Sequence, residues 1–295
     1  MPLITIITPT FNRKDKINKL YSSLKLQTSF NFEWLIVDDG SSDNTKEWIY
    51  SLNEKNFKIN YIYKINGGKH TALNVAYKNV KTLISIVVDS DDYLSNNAIE
   101  LIEKYYNKYK NYDNMCGFCF LKQYTNGQLV TKSFPNDEII SDYNKYIVNS
   151  KFSGDKAEVF YANIIKQYKY PEYRNERFIS EGYVYSEIAR RYDMVFINIP
   201  IYYCEYLPDG LTKGGRKLRI LNPLGGIKNA EEFLDNEFIL SIRIKYAILY
   251  LIYSKFANKS LVKIIRMSKY NKLLLLVSLF PSLLIYLYWK KKYKV

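Results

Sequence analysis

Asp89, Asp91 and Asp92 place three carboxylates within four positions, directly after the apolar run from Leu83 to Val88. Like charges this close repel, so the cluster is costly unless a positive group sits among them. A divalent cation with oxygen ligands is the usual solution, and Mg²⁺ or Mn²⁺ commonly bridges such carboxylates to phosphates. The alternative is a solvated acidic turn that caps the next helix. Three more polar clusters follow apolar runs in the same way: Thr8–Arg13, Asp38–Ser42 and Asn66–His70.

These clusters take their meaning from the elements that carry them. The runs Leu3–Thr8, Phe32–Val37, Lys58–Tyr63 and Leu83–Val88 read as strands. Between them, helices are expected from about Lys14 to Leu26, from Ser42 or Asp43 to about Leu52, and from about Thr71 to Lys78. Strand–helix alternation with short loops predicts an α/β sheet, mostly parallel. In such sheets the ligand crevice lies beyond the carboxyl ends of the strands. All four polar clusters fall there, which predicts one shared ligand site. The second half is less regular. Met115–Lys122 and Gln128–Phe134 read as a hairpin around Thr125-Asn126-Gly127. Helices are expected over Glu158–Gln167 and Phe178–Tyr192, a strand over Met194–Ile197, and a basic, glycine-containing loop from Leu207 to Gly226.

The chain has 295 residues, 47% apolar and 24% charged, enough for a large buried core. This composition excludes a disordered, collagen-like or multi-span membrane protein, and 12 Gly with 8 Pro leave little room for a long linker. The charge is uneven. Of the 43 basic residues, 12 lie between Leu240 and Val295, a stretch without Asp or Glu, whereas residues 1–239 hold 31 basic against 29 acidic. A uniformly basic nucleic-acid binder has a different pattern, so no nucleic-acid partner is expected. Cys116, Cys119 and Cys204 are too few for a disulfide framework and fit a reducing compartment. The C-x-x-C spacing lacks partners for a zinc site and reads as two small residues in a strand. The N-terminus MPLITIITPT reads as a first strand, not a signal peptide.

Four segments resemble, in order and spacing, the family 2 glycosyltransferases, whose fold is called GT-A. They are Thr8-Pro9-Thr10-Phe11-Asn12-Arg13, Ile36-Val37-Asp38-Asp39-Gly40-Ser41-Ser42-Asp43, Gly67-Gly68-Lys69-His70-Thr71-Ala72-Leu73-Asn74 and Val87-Val88-Asp89-Ser90-Asp91-Asp92. The clear resemblance covers about residues 3–95. A looser one reaches about residue 225, through Glu181 and Asp209–Thr212. It implies a Rossmann-like sheet flanked by helices, a nucleotide-sugar donor, most often a UDP-sugar, and Mn²⁺ or Mg²⁺. Thr8, Pro9, Thr10, Asn12 and Arg13 would cradle base and ribose. Asp39 would accept a hydrogen bond from the base, for which a carboxylate is suited. Asp89 and Asp91 match the D-x-D pair, with Asp91 the direct metal ligand and Ser90 beside the donor; the metal would neutralise the leaving diphosphate. Lys69, on a Gly-Gly turn before a helix, would meet the diphosphate or the sugar. His70, the only histidine, either contributes there or packs and caps the helix start.

Transfer with inversion needs a carboxylate to take the acceptor's proton. The resemblance points to Glu181 in Phe178-Ile179-Ser180-Glu181-Gly182. Many family members carry Glu-Asp here, and this chain departs from them at Gly182. The other reading of Glu181 is a first-turn glutamate that complements the helix dipole. The family's processive Q-x-x-R-W motif is absent, Ala189-Arg190-Arg191-Tyr192 being the nearest text, which favours addition of one or a few sugars. Asp209–Arg219 is either a lid over the diphosphate or a surface loop. A nucleotidyltransferase would want a glycine-rich loop after the first strand, and Thr8–Arg13 has no glycine.

The tail is a distinct unit. Phe238–Phe256 reads as a helix, Leu261–Met267 continues it, and Leu273–Trp289 is 17 residues without charge, with Pro281 in its middle. Lys and Arg flank both ends. A single span would strand one basic cluster on the far side, against the positive-inside tendency. A kinked or re-entrant segment in the interface keeps both on the anionic cytoplasmic surface. A buried C-terminal helix or a dimer interface is the alternative. The expectation is therefore an inverting, metal-dependent glycosyltransferase, peripheral or monotopic on the cytoplasmic face of a bacterial membrane. Its acceptor would be a lipid-linked or surface glycan, its donor half residues 1–95, its acceptor half 96–226 and its membrane segment 227–295. Transfer directly to a polyprenyl phosphate, or a catalytically silent nucleotide- or glycan-binding membrane protein, are the alternatives.

Overall fold

A computed structural model describes residues 1–152, 154–204 and 211–295. The chain divides into two compact units. The first comprises Met1–Tyr143, Phe152–Lys169 and Ile188–Glu205; the second comprises Asn144–Lys151, Tyr170–Glu187 and Tyr206–Val295.

The first unit is built on β1 (Ile4–Thr10), α1 (Lys14–Lys25), β2 (Phe32–Asp38), α2 (Thr45–Ser51), β3 (Lys58–Tyr63), α3 (Lys69–Asn79) and β4 (Ile84–Val87). β5 (Tyr93–Leu94), α4 (Ala98–Tyr109), β6 (Met115–Tyr124), β7 (Ile139–Ser141), β8 (Lys156–Tyr161), α5 (Ala162–Ile165) and β9 (Asp193–Cys204) complete it. Both β1 and β2 are buried along their whole length, as continuous β-branched and apolar runs dictate for inner parallel strands. α1 packs with Ile17, Leu20 and Leu24, spaced three and four apart on one face. Each such side chain taken fully out of water contributes roughly 1.5–3 kcal/mol.

Among the described residues the sheet has the order β3-β2-β1-β4-β8-β6-β9-β5, with β7 also on β9. The expected parallel sheet is its first half: β3, β2, β1 and β4 pair parallel, in the registers Asp38↔Tyr63, Thr10↔Asp38 and Ile7↔Val87. The carboxyl ends of these four strands thus lie along one edge. Beyond β4 the sheet is mixed, β8 running antiparallel to β4 and β6, and β9 parallel to β6.

Several expectations are corrected. Glu158–Gln167 is not a helix: β8 takes Lys156–Tyr161, and α5 is one turn. Val159, Phe160 and Tyr161 favour a strand, and neighbours on both edges hold it there. The turn at Thr125-Asn126-Gly127 forms, but its second arm makes a single bridge, Gln123↔Leu129. β6 is already paired on both edges over Gly117–Leu121, so the arm pairs only past the end of β8. β9 is longer than expected because a register shift around Ile197–Pro200 absorbs the proline, which lacks an N–H for the ladder.

The second unit is helical: α6 (Gly182–Ala189), α7 (Leu211–Leu221), α8 (Pro223–Glu232), α9 (Leu240–Phe256), α10 (Leu261–Met267) and α11 (Lys272–Tyr293). The expected helix over Phe178–Tyr192 is the shorter α6. The expected loop Leu207–Gly226 contains α7, kinked at Gly215, and the start of α8; its residues 207–210, with Asp209 of the resemblance, lie outside the described residues. α8 and α11 both pack on α9. Ala230, Ala247, Leu251, Leu275 and Trp289 centre that core. α11 continues through Pro281 without a break.

Candidate active site

The edge at the carboxyl ends of β1–β4 is a set of loops tied to one another. Loop one joins loop two: Asn12 N–H donates to Ser41 Oγ at 2.8 Å, Ser42 N–H donates to Asn12 Oδ1 at 2.8 Å, and Lys14 N–H donates to Asp43 at 3.0 Å. Asn12 holds a left-handed backbone (φ 51°), which asparagine tolerates. Loop two joins loop three through Asp39, whose carboxylate accepts from Lys64 Nζ at 2.5 Å, Gly67 N–H at 2.9 Å and Gly68 N–H at 2.7 Å. Gly40 sits between them at φ 90°, and a Cβ there would meet Asn66 N at 2.9 Å. Loop three joins loop four through Lys69, whose Nζ lies 2.6 Å from Asp89 Oδ1.

The residues expected to cradle the donor are thereby placed. Thr8, Pro9 and Thr10 are buried strand residues at the end of β1. Thr8 Oγ1 accepts from Trp34 Nε1 at 2.9 Å. Asn12 is exposed and Arg13 half-buried at the start of α1. Asp39 serves first as the clamp on the Gly67–Gly68 turn, and His70 is buried in the first turn of α3. Two polar atoms on this edge, Thr10 Oγ1 and Asn66 Oδ1, are buried without a hydrogen-bond partner. Such an orphan costs about 1–3 kcal/mol unless a ligand satisfies it.

The carboxylate cluster is electrostatically divided. Burial disfavours the charge of Asp89, but Lys69 and Lys122, with Arg13, outweigh it and hold its carboxyl below the usual range. Asp91 is pushed up, by burial and then by Asp89. Asp92 is pushed up to about 7 by the same two causes. Ser90 is buried between them. Two residues that sequence reasoning missed complete the cluster. Tyr202 Oη donates to Asp92 Oδ2 at 2.8 Å and accepts from Asp89 N–H at 3.0 Å. Lys122 Nζ lies 3.7 Å from the centre of the Tyr202 ring. Both stand in apolar, aromatic runs that read as core; only the register Lys122↔Tyr202 between β6 and β9 sets them side by side. Lys64, which donates to Asp39, precedes the Asn66–His70 cluster and is likewise missed by sequence reasoning.

Glu181 belongs to the second unit and directly precedes α6. Its Oε2 accepts from Tyr185 Oη at 3.1 Å, and its carbonyl accepts from Val184 N–H at 3.1 Å. The half-buried carboxylate therefore lies over the positive end of the helix.

No group of three or more His, Cys, Asp or Glu side chains is gathered around a point among the described residues. Mg²⁺ needs no such cage: it keeps several waters and takes one or two carboxylates together with substrate phosphates. Asp89 and Asp91 supply hard oxygen donors of that kind, one oxygen of Asp89 being already held by Lys69. The raised Asp91 and Asp92 carboxyls mark a surplus of negative charge that a cation would relieve, so the residues fit a divalent metal.

The family description "Glycosyl transferase family 2" matches residues 5–173. A GalNAc(5)-diNAcBac-PP-undecaprenol beta-1,3-glucosyltransferase of Campylobacter jejuni is 26% identical over 249 residues, 82% of this chain and 77% of that protein. The fold is shared with Staphylococcus aureus TarS 1–349 in complex with UDP-GlcNAc, at a TM-score of 0.64 and 18% identity over 95% of this chain and 80% of that one. It is also shared with a mannosyltransferase of Pyrobaculum calidifontis in complex with GDP-Man and Mn²⁺, at a TM-score of 0.55 and 16% identity over 99% and 84%. A family match over more than half of the chain, on a fold held in common with these enzymes, makes the protein a GT-A glycosyltransferase that belongs to glycosyl transferase family 2.

Proposed function

We propose that the protein moves a sugar from a nucleotide-sugar, a UDP-sugar by preference, to a hydroxyl of a lipid-linked glycan, with inversion at the anomeric carbon. The observation that carries this reading is the chain of contacts Asn12–Ser41, Asp39–Gly68 and Lys69–Asp89, which joins four loops into one edge. That edge carries polar atoms without a hydrogen-bond partner, Thr10 Oγ1 and Asn66 Oδ1, and cations, Lys69 and Arg13, that act on Asp89. The first kind of group suits a base and the second a diphosphate. The UDP-GlcNAc held by the S. aureus relative supports the donor class. The undecaprenol-diphosphate glycan named for the C. jejuni relative supports the acceptor class.

Residues 1–95 form the donor half in this reading and residues 96–226 the acceptor half. Asp39 and Asn66 present the base-side edge. Lys69 meets the diphosphate, and its 2.6 Å contact with Asp89 keeps the ammonium beside the carboxylates. Asp91 and Asp89 hold Mn²⁺ or Mg²⁺, which when bound would stabilise the charge of the departing diphosphate. Glu181 takes the acceptor hydroxyl's proton. Its contact with Tyr185 fixes the carboxylate's orientation.

The membrane segment, 227–295, completes the proposal. α11 spans 22 residues and is long and apolar enough, by length and composition, to cross a bilayer. We read it as lying in the interface. One face, with Leu274, Leu275, Ser278 and Trp289, is buried, whereas Leu276, Val277, Phe280, Leu284 and Leu287 are exposed on the other. A helix apolar on its free face and flanked by Lys272 and Lys290–Lys292 suits an anionic cytoplasmic surface.

The deciding experiment is calorimetric titration of the protein with UDP and GDP, with Mn²⁺ and then with EDTA. Metal-dependent binding of UDP supports the donor and the cation site together. Binding of GDP alone moves the donor class, and binding of neither overturns the reading.

A further inference from the structure

The second unit contains a cavity of about 590 Å³ walled by α7, α8, α9 and α11 and by the strand-free segment before α6. Two kinds of side chain meet in it. Arg216, Arg219 and Lys245 line it as cations, and among the described residues no Asp or Glu lines it. Ile248, Leu249, Ile252 and Ile285 form an apolar wall. The apolar wall is part of the helical core of this unit, with Ile252 buried in it, whereas Arg216 and Lys245 are exposed at its mouth; core packing accounts for the first and not for the gathering of like charges.

We propose that this groove holds the lipid diphosphate of the acceptor, with the phosphates on Arg216, Arg219 and Lys245 and the first isoprenoid carbons along the apolar wall. The inference rests on the lipid-linked acceptor proposed above. Three features favour this occupant. Two of the cations sit on aromatic rings: Arg216 Cζ lies 4.6 Å from the centre of the Trp289 ring, and Arg219 Cζ lies 5.4 Å from that of Phe178. A ring holds a guanidinium without neutralising its charge, which stays available to a phosphate; Arg219 spends one N–H on Gly215 O, at 3.2 Å. Secondly, three cations on one groove match the diphosphate that joins the lipid to the glycan, which is esterified at both ends and still carries more charge than the single phosphodiester of a phospholipid. Thirdly, α11 contributes Ile285 and Trp289 to the groove and the exposed Leu284 and Leu287 to its free face. A hydrocarbon chain leaving the groove therefore meets the same helix that we place in the interface.

The groove also adjoins the assigned base. Ser180 is on its wall, and Glu181 is the next residue. That segment is held to the start of α8, where Glu176 accepts from the N–H groups of Leu224 and Gly225 at 2.7 and 2.8 Å. A Cβ at Gly225 would meet Phe178 O at 2.4 Å, so glycine is required for the approach. The groove wall and the backbone that leads into Glu181 are thus held together by one close contact.

The test uses the full chain in non-ionic detergent with geranylgeranyl diphosphate as probe, read by the fluorescence of Trp289 and checked against Trp289→Phe. The probe is expected to bind, to bind more weakly as salt is raised, and to remain bound when UDP is added. Lys245→Gln is expected to weaken binding about tenfold, and the pair Arg219→Gln with Lys245→Gln about a hundredfold, without changing the affinity for UDP. Arg219→Lys with Lys245→Arg should recover most of the loss. Unchanged affinity in the glutamine variants overturns the proposal, and so does displacement of the probe by UDP. Phosphatidylglycerol micelles that compete as well as the diphosphate would also overturn it, leaving a general anionic surface. Lys245 is exposed, so its single variant remains informative if the Arg219 change disturbs the kink at Gly215. Failure of the acceptor reading shows differently: the probe binds with the same dependence on the cations, yet no lipid-linked acceptor is glycosylated. Failure of the groove alone shows as transfer to such an acceptor with an unaltered KM in the glutamine variants.

Discussion

Lys69 Nζ stands 2.6 Å from Asp89 Oδ1, joining the start of α3 to the end of β4 across the sheet edge. The ammonium is the largest favourable contribution to the charge of Asp89. Lys69→Met is expected to raise the KM for the nucleotide-sugar about tenfold to a hundredfold, with a smaller effect on kcat, because a charged hydrogen bond to the diphosphate is lost. Initial-rate kinetics decide it, and an unchanged KM removes Lys69 from the donor site.

Asp91→Asn should lower turnover about a thousandfold while leaving the fold intact, since it removes a carboxylate whose charge is already disfavoured by burial and by Asp89. Thermal melting and rates with and without EDTA test this. Full activity without divalent metal would end the cation assignment.

Glu181→Gln should keep UDP affinity and lose transfer by about 10²–10⁴-fold, the usual contribution of a general base. The amide still accepts from Tyr185, so the start of α6 is preserved. Near-normal transfer would move the base to another residue.

Val277→Asp with Leu284→Asp alters two exposed side chains on the free face of α11. The melting temperature should barely move, because surface substitutions usually stay within about 0.5 kcal/mol. Co-sedimentation with anionic vesicles should be lost. Retained sedimentation would mean that this face does not meet the lipid.

Glu138 supplies a test by pH. Lys108 donates to its carboxylate, as do Tyr109 Oη at 2.7 Å and Tyr105 Oη at 3.2 Å, and these bonds, that of Lys108 first, hold its carboxyl below the usual glutamate range. A depressed carboxyl stabilises the fold above its unfolded value, about 4.3, and the contribution fades as the pH falls through the folded value. Glu138→Gln should therefore be less stable than the natural chain at pH 7, with the difference vanishing towards pH 3 in denaturant titrations. A difference that persists in acid would show that Glu138 acts through packing.

The first 95 residues, which we propose as the donor half, were legible because their signals are local. Apolar runs ending in Asp38-Asp39-Gly40 and Asp89-Ser90-Asp91-Asp92 state both the strand and the end at which chemistry gathers. Asp39 shows the limit of such reading. Its residue type suits a base, but its first partners are Lys64, Gly67 and Gly68, which no spacing announced.

The amino-acid sequence by itself determined the four parallel strands, their polar ends and the basic, apolar tail, because alternation, burial pattern and charge are written within a few residues of one another. Only the tertiary structure decided that β8 is a strand, that Lys122 and Tyr202 serve the carboxylates, and that Arg216, Arg219 and Lys245 share a wall with Ile252 and Ile285. Those facts depend on register and packing between residues far apart in the chain. Backbone pairing and side-chain burial are settled jointly there, and no local preference carries that information.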